Sequence, residues 1–163
     1  MKRKITFLIA ACLLLTMINL PGKAVGQSGS SYTIEFKDSG NNIDNSNAIS
    51  GTTISDFISS GSTYVSSINN GGKVFNAKSG FGLKLGSNSG SGNFTITLSN
   101  NGKVKVTKIE VYAAKSNVYV KLNNSSTYDH TFSTSESSIT QYDWTVSVDV
   151  ETIYISATKG YIH

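Results

Sequence analysis

Along most of this chain, apolar and polar residues alternate one by one. Tyr32, Ile34 and Phe36 alternate with Thr33, Glu35 and Lys37. Phe81, Leu83 and Leu85 share a parity, as do Phe94, Ile96 and Leu98, and then Val118, Val120 and Leu122. The longest series is Tyr142, Trp144, Val146 and Val148, set against Gln141, Asp143, Thr145 and Ser147. Period two is the pattern of a strand with one buried and one solvated face. Shorter apolar runs at 64–68, 73–77, 128–132 and 153–155 read as further strands. Polar, glycine-rich stretches at 38–47, 86–92 and 115–117 separate them, and Asn101-Gly102 is a hairpin signal. One stretch breaks the rhythm: Ile54, Phe57 and Ile58 stand at helical spacing, so a short helix is expected near residues 53–59.

A second irregularity lies at 104–113. Val104 and Val106 are even, whereas Ile109, Val111 and Ala113 are odd. A single regular strand would swing its apolar set to the other face. A β-bulge near Thr107 and Lys108 repairs the parity, and two separate strands would do the same. About nine strands with frequent turns predict an all-β sandwich or barrel.

The N-terminus follows another rule. Lys2, Arg3 and Lys4 precede an apolar run from Ile5 to Leu20, and Ala24-Val25-Gly26 supplies small residues where a signal peptidase cuts. This predicts a signal peptide over 1–26, cleaved near Gly26, and a secreted or cell-surface protein. Two alternatives fit less well. Ile9-Ala10-Ala11-Cys12 resembles a lipoprotein box with a lipidated Cys12, but the apolar run continues past it. An uncleaved anchor would need about 20 apolar residues. No membrane insertion of the mature chain is expected.

From Gln27 to His163 there are 137 residues, the size of one domain, with no cysteine and no proline. Ser, Asn, Thr and Gly supply 67 of them (26, 14, 14 and 13). Aromatic and β-branched residues recur throughout, which a disordered chain would lack. The full chain has 14 basic and 10 acidic residues, and four of the basic ones (Lys2, Arg3, Lys4, Lys23) lie in the leader. Ten of each sign remain, so no basic excess points to nucleic acid. A cysteine-free exported domain also fits a bacterial origin.

The runs at 81–87 (FGLKLGS), 92–98 (GNFTITL), 106–113 (VTKIEVYA) and 153–163 (IYISATKGYIH) resemble a β-jelly-roll module of secreted gut-type bacterial proteins. Such modules are related in shape to carbohydrate-binding modules. The resemblance implies a jelly-roll β-sandwich of two antiparallel sheets. Its last segment is normally longer, so a closing strand truncated after Gly160-Tyr161-Ile162-His163 is expected, beside 153–155 and at a sheet edge.

Catalytic chemistry finds little support. Only His130 and His163 are present, and no nucleophile-elbow motif occurs. Asp149 and Glu151 share a face but lack an apolar setting that would raise one carboxyl. The glycine turn at 86–92 lacks the ending of a phosphate loop. Asp38, Asn41, Asn42 and Asp44 crowd oxygen donors into one loop and form a candidate structural calcium site, with no other cofactor expected. Such residues are also ordinary turn formers. Trp144 and Tyr142 belong to the apolar parity and read as core. Tyr112, Tyr119 and Tyr154 fall on the opposite parity from their neighbours and are the candidate ligand-binding residues, with Tyr112 and Tyr119 set to pair across the turn at 115–117. The expected function is a secreted, non-catalytic module that binds carbohydrate at low affinity, as part of a larger extracellular protein. The alternative is a structural or adhesive surface domain with no small ligand, and a glycan-active enzyme ranks third. Neither the glycan nor the oligomeric state is legible in the sequence.

Overall fold

The computed structural model describes residues 33–99 and 104–163. The signal-peptide reading of 1–26, Tyr32 and the Asn101-Gly102 turn lie outside those residues. Among the described residues are twelve strands, one turn of α-helix and one 3-10 turn (Ser62–Tyr64). The helix, α1 (Ile54–Phe57), falls where the apolar spacing changed, and it buries Phe57. A two-stranded ribbon pairs β1 (Glu35–Phe36) with β2 (Ile58–Ser60). The other ten strands are β3 (Val65–Gly72), β4 (Val74–Asn76), β5 (Leu83–Leu85), β6 (Gly92–Leu98), β7 (Val104–Ala114), β8 (Val118–Leu122), β9 (His130–Phe132), β10 (Thr140–Val150), β11 (Thr152–Ala157) and β12 (Gly160–Ile162).

They form two five-stranded antiparallel sheets, ordered β10-β7-β12-β5-β4 and β3-β6-β11-β8-β9. The pairing has a simple logic. β5 pairs with β12, β6 with β11, β7 with β10 and β8 with β9. Eight strands thus behave as one long hairpin rolled over on itself, which is the jelly-roll sandwich. Consecutive strands consequently tend to sit in opposite sheets. β6 and β7, for example, belong to different sheets and do not pair with each other.

The core lies between the sheets. Leu83, Leu85, Phe94, Ile96, Val118, Val120 and Ile155 are buried in it, as strand parity requires. Phe94 is its aromatic centre, 5.3 Å from the Phe36 ring edge-on and 5.7 Å from that of Phe57. β7 is one continuous strand, and its parity break is absorbed where expected. Thr145 pairs with Lys108 and Val148 with Val106, so Val146 and Ser147 stand opposite Thr107 alone. The extra residue is therefore carried by β10, and both Ile109 and Val106 still pack against the core.

Two expectations are corrected. Phe81 does not share the inner face with Leu83 and Leu85. It precedes β5 and packs 5.1 Å from the Tyr161 ring in a small second cluster with Ala77 and Ala114. β12 is not at a sheet edge and does not pair with β11. It crosses to the other sheet and sits between β5 and β7, with Tyr161 opposite Lys84 and Ala114. Trp144 packs against the core, as its parity predicts; it is half-buried and stacks on His130 of β9, with centroids 4.7 Å apart and planes 5° apart.

Candidate functional site

The alternation that buries Ile155 on β11 turns Tyr154 to the outer face of its sheet. On β8, burial of Val118, Val120 and Leu122 turns Tyr119 and Lys121 to the same outer face. The register then brings the strands together: Tyr154 stands opposite Lys121, and Ser156 opposite Tyr119. The loop that joins β8 to β9 adds Tyr128, half-exposed, whose ring lies 4.9 Å from that of Tyr119 at a 32° tilt. The Lys121 ammonium sits 5.1 Å from the Tyr128 ring centroid and 5.3 Å from that of Tyr154. Tyr119, Tyr128, Lys121 and Tyr154 thus form one continuous surface. The row through Tyr154 continues into Thr95 of β6 and Asn69 of β3, which adds hydrogen-bonding side chains beside the rings.

Two of the three sequence candidates, Tyr119 and Tyr154, therefore meet. Tyr112 does not join them. It lies on β7 in the opposite sheet, where its hydroxyl donates to Gln141 Oε1 at 3.0 Å across the β10 pairing. The expected Tyr112–Tyr119 pair fails because the short turn at 115–117 carries the chain from one sheet to the other. Lys121 was legible as a face-mate of Tyr119 at i+2, but an isolated lysine carries no signal by itself. Tyr128 could not be placed from sequence, because it lies in a loop outside the strand rhythm.

The loop at 38–47 carries the candidate calcium residues Asp38, Asn41, Asn42 and Asp44. Asp38 accepts the Gly40 and Gly80 amides, and these two bonds hold its carboxyl below the ordinary range. Asp44 Oδ2 accepts from the Tyr161 hydroxyl at 2.8 Å and from Lys84 Nζ at 2.9 Å, and Oδ1 accepts the Lys78 amide. Burial alone would raise the Asp44 carboxyl, but hydrogen bonds from Lys84, Tyr161 and Lys78 outweigh it and leave the group depressed. Burial, reinforced by the bond to Asp44, pushes Tyr161 up to about 12. Both carboxylates thus spend their oxygens on protein donors. Asn41 and Asn42 are exposed, and Asn41 offers its backbone carbonyl to Ser79. These bonds fasten the loop over the outer face of β5 and β12, a structural use for the residues that suggested calcium.

A polar cleft of about 250 Å³ lies elsewhere, lined by Lys37, Ile49, Asp56 and Asn76 among others, with no aromatic side chain. No helix among the described residues is long and apolar enough to cross a membrane. Comparison of the chain with protein-family models, curated proteins and solved structures finds no significant match.

Proposed function

We propose that this chain is an exported, non-catalytic module that binds carbohydrate on the outer face of the β3-β6-β11-β8-β9 sheet. The observation that carries the reading is the contiguous group of Tyr119, Tyr128 and Tyr154 around Lys121 on one outward face. Aromatic faces pair an apolar body with a polar tip, which suits the C–H faces and hydroxyl rims of sugars. Thr95 and Asn69 offer donors and acceptors in the same row. An open sheet face suits a chain-like ligand laid along it, at the modest affinities of about −4 to −8 kcal/mol that span the millimolar to micromolar range.

The test is a glycan array probed with the mature domain, followed by titration of the double variant Tyr119→Ala/Tyr154→Ala against whatever binds. Tyr112→Ala on the opposite sheet serves as the control. Loss of a central aromatic anchor costs about 1–2 kcal/mol or more, at least about tenfold in affinity. Retained affinity in the folded double variant would move the site elsewhere. No binding to any glycan would favour a structural or adhesive surface domain.

A further inference from the structure

From the same face we infer that the preferred ligand is an anionic sugar chain, one that bears uronate carboxylates or sulfate esters; this rests on the carbohydrate reading above. The argument turns on Lys121. Its ammonium is held over two tyrosine rings, and its single hydrogen bond is a long one, to the Ser126 carbonyl at 3.5 Å. The described residues contain ion pairs at Lys84 and Lys108, but none at Lys121. Asp129, whose backbone amide bonds to Val120 beside Lys121, could have neutralised it. Instead its carboxylate turns into the β8–β9 hairpin and accepts the Leu122 amide at 2.7 Å. The ring faces stabilise the cation electrostatically but return no formal charge. An ammonium fixed among aromatic rings is thus left without a counter-charge in the middle of the surface on which a sugar would lie. A sugar stacked on Tyr119 or Tyr154 brings its substituents within reach of that ammonium, and an anionic substituent completes the pairing.

Two features separate this from a generic basic patch. The charge is single and central to the aromatic group. The chain from Gln27 onward also has as many acidic as basic residues, so attraction of polyanions at large is not expected. The preference should therefore be modest, sugar-dependent and sensitive to salt.

The experiment uses the intact domain on an array in which each neutral oligosaccharide stands beside its uronate and its sulfated counterpart. A galacturonate trimer and a neutral galactose trimer are then titrated in solution. Wild type should favour an anionic member over its neutral twin by about two- to fivefold, the scale of one partly exposed charge pair. Lys121→Gln should erase that preference, so that anionic and neutral members bind alike, and Lys121→Arg should keep it. The uronate and sulfate arms show which group is read. Equal binding of neutral and anionic members, lost on Tyr119→Ala/Tyr154→Ala, would overturn the anionic preference and leave the platform standing. A preference that persists in Lys121→Gln would also overturn it. Failure to bind any glycan would sink both readings.

Discussion

His130 and Trp144 illustrate how single residues close this sandwich. They come from β9 and β10, the edge strands of opposite sheets, and stack nearly parallel across the gap. Phe132 supports His130 from below at 4.6 Å, edge-on. Trp144 is the chain's single tryptophan, so its emission reports this contact alone. His130→Ala should shift that emission to the red and cost about 0.5–1.5 kcal/mol, the worth of an aromatic pair beyond its buried area. An unchanged spectrum would mean that the stack does not exist in solution. Tyr161 carries the second residue-scale prediction. Its folded-state value, about 12, lies above the ordinary 10, so the folded protein holds the phenolic proton more tightly than the unfolded chain. That contribution is complete below about pH 10 and is lost as pH rises toward about 12. Asp44 behaves in the opposite sense: its depressed carboxyl stabilises above the ordinary carboxylate value, and that stability fades as pH falls through the folded value. Tyr161→Phe should lose about 1.5–3 kcal/mol at neutral pH, typical of a hydrogen bond to a charged group. Its melting temperature should also fall less than that of wild type between about pH 8 and about pH 11. Parallel curves for the two proteins would rule out this role.

Among the elements, β12 has the largest influence for its length. Three residues fill the middle of a sheet, paired to β5 on one side and to the end of β7 on the other. Gly82 makes room for it. Its φ is +65°, and a Cβ there would run into the Ile162 carbonyl and lie 2.8 Å from the His163 Cα. Gly82→Ala should therefore combine a left-handed penalty of about 1–2 kcal/mol with displacement of β12. Hydrogen exchange at Tyr161 and Ile162 is the appropriate measurement: their amides should lose protection more than those of β6 or β11. A uniform loss across the molecule would point to simple global destabilisation. Truncation of the buried Ile162 to Ala should cost about 2–5 kcal/mol by the same route. The sequence announced a strand at this point but not its neighbours. Alternation specifies which side of a strand is buried and says nothing about which strand lies beside it.

For the whole molecule, the rolled-hairpin topology couples the first of its eight strands to the last: Leu85 pairs with Gly160 and Leu83 with Ile162. Such non-local pairing must close long loops before it gains contacts, so refolding of the β-sandwich should take milliseconds to seconds. No proline occurs after Pro21, so no isomerisation phase of tens of seconds should appear. Stopped-flow tryptophan fluorescence would detect one, and its presence would imply a different slow step. The same topology explains how far the sequence could be read. The inward sets on β6, β8 and β11, the short helix, the irregularity opposite Thr107 and the outward direction of Tyr119 and Tyr154 were all legible along the chain. Each depends on a period of two, or its interruption, within a few neighbouring residues. The separation of Tyr112 from Tyr119, the arrival of Tyr128, the unpaired placement of Lys121 and the conversion of an Asp- and Asn-rich loop into a clasp for Tyr161 were decided only by tertiary structure. They depend on which sheet each strand joins and on contacts between residues far apart in sequence. In a jelly roll, where short turns can carry the chain from one sheet to the other, proximity along the chain is a poor guide to proximity in space.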